Sequence, residues 1–129
     1  MKFTFKDIRE GTYQAKVSGL KQEKGPFGPF IRLTFTIVSG ELKNYKFSGA
    51  VKPTDLKQSK FYKWITHILG EYPTDDFDTN DLLGKHCLVV LSKVTDFYSV
   101  TDVHMQNHRL ADLDAKRDSF RVLQNTAKS

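Results

Sequence analysis

The chain has 129 residues, with 20 Lys and Arg against 15 Asp and Glu, which gives a formal net charge of +5. This length suits one domain with its own core. The single cysteine, Cys87, excludes an intramolecular disulfide and suits a reducing compartment. No segment has the apolar length of a signal peptide or a membrane span, so we expect a soluble protein of the cytoplasm, or of the host cytoplasm if the chain is viral.

Charge is distributed unevenly along the chain. Residues 1–63 contain thirteen basic and five acidic side chains, whereas residues 71–81 contain five acidic side chains and no basic one. We therefore expect a positive and a negative side, and the positive side would attract a polyanion.

The first two predicted strands alternate apolar and polar residues. Thr12–Leu20 has this period, and Phe30–Val38 places Ile31, Leu33 and Phe35 on one face. The intervening residues 21–29, KQEKGPFGP, contain Gly and Pro at close spacing, which predicts an exposed loop.

A third strand and a helix follow. A short turn at residues 39–41 leads into Leu42–Val51, in which Gly49 suggests a bulge or a sharp bend. Phe61–Leu69 has apolar residues at helical spacing, with Ser59 as a candidate N-cap and Gly70 as the stop.

The remaining segments are a polar loop, two strands and a tail. Residues 71–80 form the acidic loop, and residues 80–84 resemble one capped helical turn. Lys85–Val94 and Phe97–Val103 read as strands joined at Thr95 and Asp96. From residue 106 onward the apolar pattern is lost, which predicts a basic tail that is partly disordered or helical.

Five strands with one helix between the third and the fourth is the plan of an OB-fold barrel. The sequence therefore predicts an all-β, five-stranded OB-fold domain over residues 1–105, followed by a tail at residues 106–129. The exposed face of such a barrel binds strands of nucleic acid or sugar.

Basic and aromatic residues fall where that face is expected. Proteins that hold single strands combine cations for the phosphates with aromatic rings on which bases stack. The candidate nucleic-acid-binding residues are Lys21, Lys24, Phe27, Phe30, Arg32, Thr34, Tyr45, Lys46, Phe47, Phe97 and Tyr98.

Arg32 and Phe27 are the strongest of these candidates. Arg32 lies in a strand whose other face is apolar, so it must point away from the core. Phe27 lies between Gly-Pro pairs, where burial is difficult. For Phe35 and Phe47 a place in the core is the favoured interpretation.

The partial metal-binding motifs in the sequence lack residues that a metal site requires. Asp76, Asp78 and Asn80 match the first ligands of an EF-hand loop, but Asp81 and Cys87 stand where Gly and Glu are required. The four histidines lack the spacing of a metal site. We find no phosphate-binding glycine loop and no nucleophile motif, so we expect no cofactor, no metal and no enzymatic activity.

Four segments resemble the small OB-fold single-stranded-DNA-binding proteins of bacteriophage replication modules: GTYQAKVSGL, FIRLTFTIVSGE, SKFYKWITHILG and DLLGKHCLVVLSKVTDFYSVTDV. The resemblance covers Gly11 to Val103. It implies sequence-tolerant, cooperative coating of single strands during DNA replication, recombination or repair.

The leading hypothesis is therefore a non-catalytic single-stranded-DNA-binding protein. Its expected partners are single-stranded DNA, with RNA left open, replication proteins and a second copy of the chain, without a membrane. Two alternatives remain: a protein-interaction module of a replication complex, and a binder of single-stranded RNA.

Overall fold

A computed structural model describes residues 1–106 of the chain. It contains one five-stranded sheet, one α-helix and one short 3-10 helix at Thr79–Leu82. The elements are β1 (Gly11–Gly25), β2 (Gly28–Ile37), β3 (Lys46–Val51), α1 (Lys60–Leu69), β4 (His86–Val94) and β5 (Phe97–His104). The predicted tail lies outside the described residues, apart from Gln106.

All neighbouring strands are antiparallel, in the order β3-β2-β1-β4-β5. The long strand β1 pairs with β4 through its first half and with β2 through its second half. The predicted mostly-β architecture with one helix between the third and fourth strands is confirmed. The hydrogen-bonded sheet itself is not closed, because β3 and β5 remain its two edges.

The core lies on one face of the sheet. Along β2, Ile31, Leu33, Phe35 and Ile37 are buried while the residues between them are half-buried, as the alternation predicts. Cys87 is also buried, as expected for a small apolar residue in β4. Since an antiparallel sheet needs only one apolar face, the opposite face is free to carry polar groups.

The helix α1 has the ends that its sequence predicts. The Ser59 side chain accepts a hydrogen bond from the backbone N–H of Tyr62 at 3.1 Å. Gly70 adopts a left-handed conformation with φ of 76°, and its N–H donates to the Thr66 carbonyl at 2.9 Å. Between these two ends, the helix packs Trp64 into the core.

The predicted loop at residues 21–29 is wrong. Strand β1 continues to Gly25 and β2 starts at Gly28, so only Pro26 and Phe27 connect them. Composition alone misplaces the boundary because the two arms pair with each other in regular antiparallel register from the Gly19/Thr34 pair to the Gly25/Gly28 pair, a long-range pairing that composition does not report. The first hairpin thus extends well beyond the core.

Gly49 does not mark a bulge. The pairing of β2 with β3 is regular at this position, while register shifts occur between Val17 and Gly19 in β1 and beside Val90 in β4. A Cβ on Gly49 would lie 2.5 Å from the Val100 carbonyl oxygen and 2.8 Å from Trp64. Glycine is needed here because β5 and the helix come this close to β3. The third strand also begins at Lys46 rather than Leu42, because residues 41–44 form a turn.

Candidate functional site

Cations and hydroxyls of three strands meet on the side of the sheet away from the core. Residues directly opposite each other in an antiparallel pair project from the same face. Lys21 pairs with Arg32, and Thr36 pairs with both Lys16 and Lys46. We call this surface the outer face; it consists of Lys16, Lys21, Phe30, Arg32, Thr34, Thr36, Lys46 and Ser48.

Arg32 occupies the middle of the outer face and is held by two neighbours. Its Nε lies 3.2 Å from both carboxylate oxygens of Glu23, and one terminal nitrogen donates to the Ser48 hydroxyl at 3.2 Å. The Arg32 side chain is 41% exposed and that of Glu23 is 26% exposed. The guanidinium is therefore fixed in orientation but still accessible to solvent.

Phe30 lies beside this ion pair. It pairs with Glu23 across the hairpin, and the Arg32 guanidinium carbon is 5.4 Å from the centre of its ring. This distance is within the range of a cation–π contact. The outer face thus presents an aromatic ring and a guanidinium side by side, which are the groups that stack on a base and contact a phosphate.

Phe27 and Lys24 both lie near the tip of the first hairpin, but in different positions. Phe27 lies in the turn with 94% of its surface exposed, in agreement with its predicted exposure. Lys24 pairs with Pro29, an odd number of residues from Arg32, so it lies on the opposite face of the hairpin. Lys24 is therefore not part of the outer face.

Tyr45 and Phe47 differ in position although they are near neighbours. Phe47 pairs with the buried Phe35, so it lies on the core face and is half-buried there. Phe47, a candidate from the sequence, is therefore not part of the outer face. Tyr45 precedes β3, is 46% exposed and has the ammonium of Lys6 5.5 Å from its ring centre.

Phe97 and Tyr98 stand apart from the outer face. Gly11, the first residue of β1, pairs with Leu91 of β4. The turn between β4 and β5, which is followed by Phe97, therefore lies beyond the Gly11 end of β1. The tip that carries Phe27 lies beyond the other end. Phe97 is 75% exposed, and the ladder gives neither residue a neighbour on β2.

Sequence reasoning missed four members or neighbours of this surface. Lys16, Ser48 and Glu23 come next to the selected residues only through cross-strand pairing. The hydroxyl of Ser18 accepts a hydrogen bond from Thr36 at 2.8 Å. Alternation identifies which side such residues occupy, but it does not say which residue stands opposite them.

The acidic segment has a structural role at its C-terminal end. Asp78 caps the 3-10 helix by accepting from the Asn80 N–H at 2.8 Å, and Asp81 accepts from the Asp78 N–H at 3.2 Å. A hydrogen bond from the Thr74 hydroxyl lowers the pKa of the exposed Asp76 carboxyl. This hydrogen bond favours the ionised form of Asp76.

Within residues 1–106, no group of three His, Cys, Asp or Glu side chains is arranged to hold a metal ion. His67 lies 2.7 Å from the Val103 carbonyl through Nδ1, and His104 lies 3.4 Å from Asp102 through Nε2. The rings of these two histidines stack with centres 5.8 Å apart, so both contribute to the contact between α1 and β5.

No protein-family model and no curated protein sequence matches the chain. In the part of the chain that the structure describes, no helix has the length and apolar character needed to cross a membrane.

Proposed function

We propose that this protein is a non-catalytic single-stranded-DNA-binding protein that holds the strand on the outer face. The observation that carries the proposal is that four cations share this face: Lys16 and Lys46 both pair with Thr36, Lys21 pairs with Arg32, and the Arg32 guanidinium carbon lies 5.4 Å from the centre of the Phe30 ring. The core does not require any of these side chains, because the opposite face of the same strands supplies the packing.

Each kind of group has a distinct role in this function. Lysines and Arg32 contact phosphates, and their displacement of counterions supplies most of the affinity. Phe30 offers a ring on which a base stacks, and the exposed Phe27 offers a second at the hairpin tip. Stacking does not depend on base identity, so binding tolerates any sequence.

A single strand suits the outer face better than a duplex does. Aromatic rings can stack only on bases whose faces are free, and duplex bases are already stacked on each other. The outer face also presents a strand surface rather than a helix that would enter a major groove. The same chemistry underlies coating of single strands in replication, recombination or repair.

We further propose that the sheet has the curvature of a partly open OB-fold barrel. The close approach of β3 to β5 at Gly49 and Val100 supports this, because these two strands are the edges of the ladder. The single helix between β3 and β4 packs Trp64 against the same point.

Fluorescence anisotropy tests the function directly. Labelled single-stranded DNA, single-stranded RNA and duplex DNA are titrated with the full chain at low and high salt. The proposal predicts binding to single-stranded DNA that weakens with salt and exceeds binding to duplex. Equal or stronger binding to duplex contradicts it, tighter binding to RNA assigns the outer face to RNA, and a lack of binding to all three favours the protein-interaction module.

A further inference from the structure

The first six residues carry two aromatic rings that the core does not use. Phe3 is 72% exposed and Phe5 is 93% exposed. Their rings stack on each other, with centres 6.4 Å apart and planes inclined by 29°. Two large apolar side chains side by side in water form a patch that is typical of a binding surface.

This segment is basic as well as aromatic. Lys2 and Lys6 flank the two phenylalanines, and the first acidic residue is Asp7. We call residues 1–6 the N-terminal arm. Its composition combines cations with aromatic rings, as on the outer face, and as single-strand binding requires.

The N-terminal arm is attached to the body of the domain just before the edge strand β3. The Lys6 ammonium donates a hydrogen bond to the Glu41 carbonyl at 2.9 Å and lies 5.5 Å from the centre of the Tyr45 ring. Tyr45 directly precedes Lys46, the first residue of the edge strand β3. The arm is therefore held against the start of that strand.

We infer that the N-terminal arm is a second stacking platform beside the edge strand β3, with Phe3 and Phe5 receiving bases of the same single strand that the outer face holds. Lys2 and Lys6 would contact the adjoining phosphates. This inference rests on the proposed function. A single strand fits the arm because its positive charge matches phosphate and its exposed rings match unpaired bases.

The test compares the full chain with the double variant Phe3→Ala/Phe5→Ala on two labelled ligands. One is an oligothymidine and the other is an abasic oligonucleotide of the same length, which keeps the phosphates but has no bases. Loss of stacking should weaken oligothymidine binding at least about fivefold. Binding to the abasic strand should change less than about twofold, because the lysines remain.

Two further variants serve as controls. Leu56→Ala removes another exposed apolar side chain, 62% exposed and distant in sequence from the arm, and should leave both affinities unchanged. Phe3→Tyr/Phe5→Trp retains both rings and should restore oligothymidine binding. Melting followed by circular dichroism should give the same transition for all variants, since the arm lies outside the core.

Three results overturn the inference while leaving the proposed function intact: unchanged oligothymidine binding by the double variant, equal losses on both ligands, or loss of an oligomer in sedimentation. The last would assign Phe3 and Phe5 to contact with a second copy of the chain. If the parent chain binds no single strand at all, the proposed function fails, and the inference fails with it.

Discussion

Arg32 shows how one side chain on the outer face is oriented before any ligand binds. Glu23 and Ser48 hold its guanidinium from two sides. A partly exposed ion pair of this kind contributes only about 0–1 kcal/mol to stability. Its main effect is therefore on orientation, and it also places a carboxylate next to a proposed phosphate contact.

Replacing Arg32 with Ala should weaken single-strand binding and lower the steepness of its salt dependence by about 0.7 in the log–log slope, the share of one phosphate. The free energy of unfolding should change by less than about 1 kcal/mol. Anisotropy titrations across a salt series and urea denaturation measure the two effects. Lys24→Ala is the matched control, because this exposed lysine lies on the other face of the hairpin. An equal loss of slope in both variants would contradict the assignment of the outer face.

Replacing Glu23 with Gln should have the opposite effect on affinity. The change removes a negative charge that repels phosphate and releases Arg32 from its partner. We expect binding to tighten about two- to fivefold at low salt, which is the size of one exposed charge interaction. Glu71→Gln makes the same charge change in the acidic segment and should have little effect. Weaker binding by the Glu23 variant would mean that the ion pair is required to position Arg32.

The elements depend on one close contact between strand and helix. Trp64 is fully buried, packs edge-to-face on Phe35 with ring centres 6.3 Å apart, and leaves no room for a side chain at Gly49. The same contact brings β3 near β5. The approach of the two edge strands thus depends on core residues and not on the side chains of the outer face.

Gly49→Ala should destabilise the domain by about 1–3 kcal/mol, because the added methyl group overlaps the Val100 carbonyl and the Trp64 ring. Urea denaturation followed by circular dichroism measures this loss. The neighbouring Ala50 is exposed and pairs with Arg32 on the side away from the core, so Ala50→Ser should cost little. Equal stability of the two variants would show that β3 and β5 do not approach each other as described.

Trp64→Ala should cost about 3–5 kcal/mol through loss of a large buried side chain. Trp64→Phe should cost much less, because the ring volume is largely kept. Among residues 1–106 the indole Nε1 has no hydrogen-bond partner, so Phe also removes an unpaired buried donor. Thermal unfolding of both variants checks the order. A Phe variant as unstable as the Ala variant would show that the indole N–H does have an essential partner.

The molecule as a whole separates its charges. The four cations of the outer face belong to β1, β2 and β3, whereas the carboxylates of residues 71–81 follow α1. Such an arrangement would orient the domain toward the proposed polyanion before contact. On this proposal, the net charge of +5 understates the attraction that the outer face would exert.

The four outer-face cations should together contribute about −3 to the log–log salt slope of binding to single-stranded DNA, since each contributes about −0.7. The triple variant Lys16→Gln/Lys21→Gln/Lys46→Gln should reduce the magnitude of this slope by about 2. Anisotropy titrations at several salt concentrations measure both values.

A second triple variant separates local from overall charge. Lys43→Gln/Lys57→Gln/Lys93→Gln changes the net charge equally but replaces exposed lysines outside the outer face. Its slope should stay close to that of the parent. Equal slopes for the two triple variants would show that net charge, rather than the outer face, attracts the strand.

Local signals in the sequence determined the strand alternation and the helix ends. Leu33 and Phe35 face the core because side chains alternate along a strand, whatever its partners are. Ser59 and Gly70 delimit α1 because a hydroxyl cap and a left-handed glycine act on backbone groups only a few residues away. Composition also predicted that Phe27 would be exposed.

Only the tertiary structure decided which residues share a surface. The hairpin arms continue to Gly25 and Gly28, which removes Lys24 from the face of Arg32, and the register places Glu23 beside that arginine. Gly49 acquires its role from Trp64, which lies on another element. These features depend on cross-strand register and close packing, and a shift of one residue would exchange the two faces of a strand. No local pattern in the sequence specifies that register.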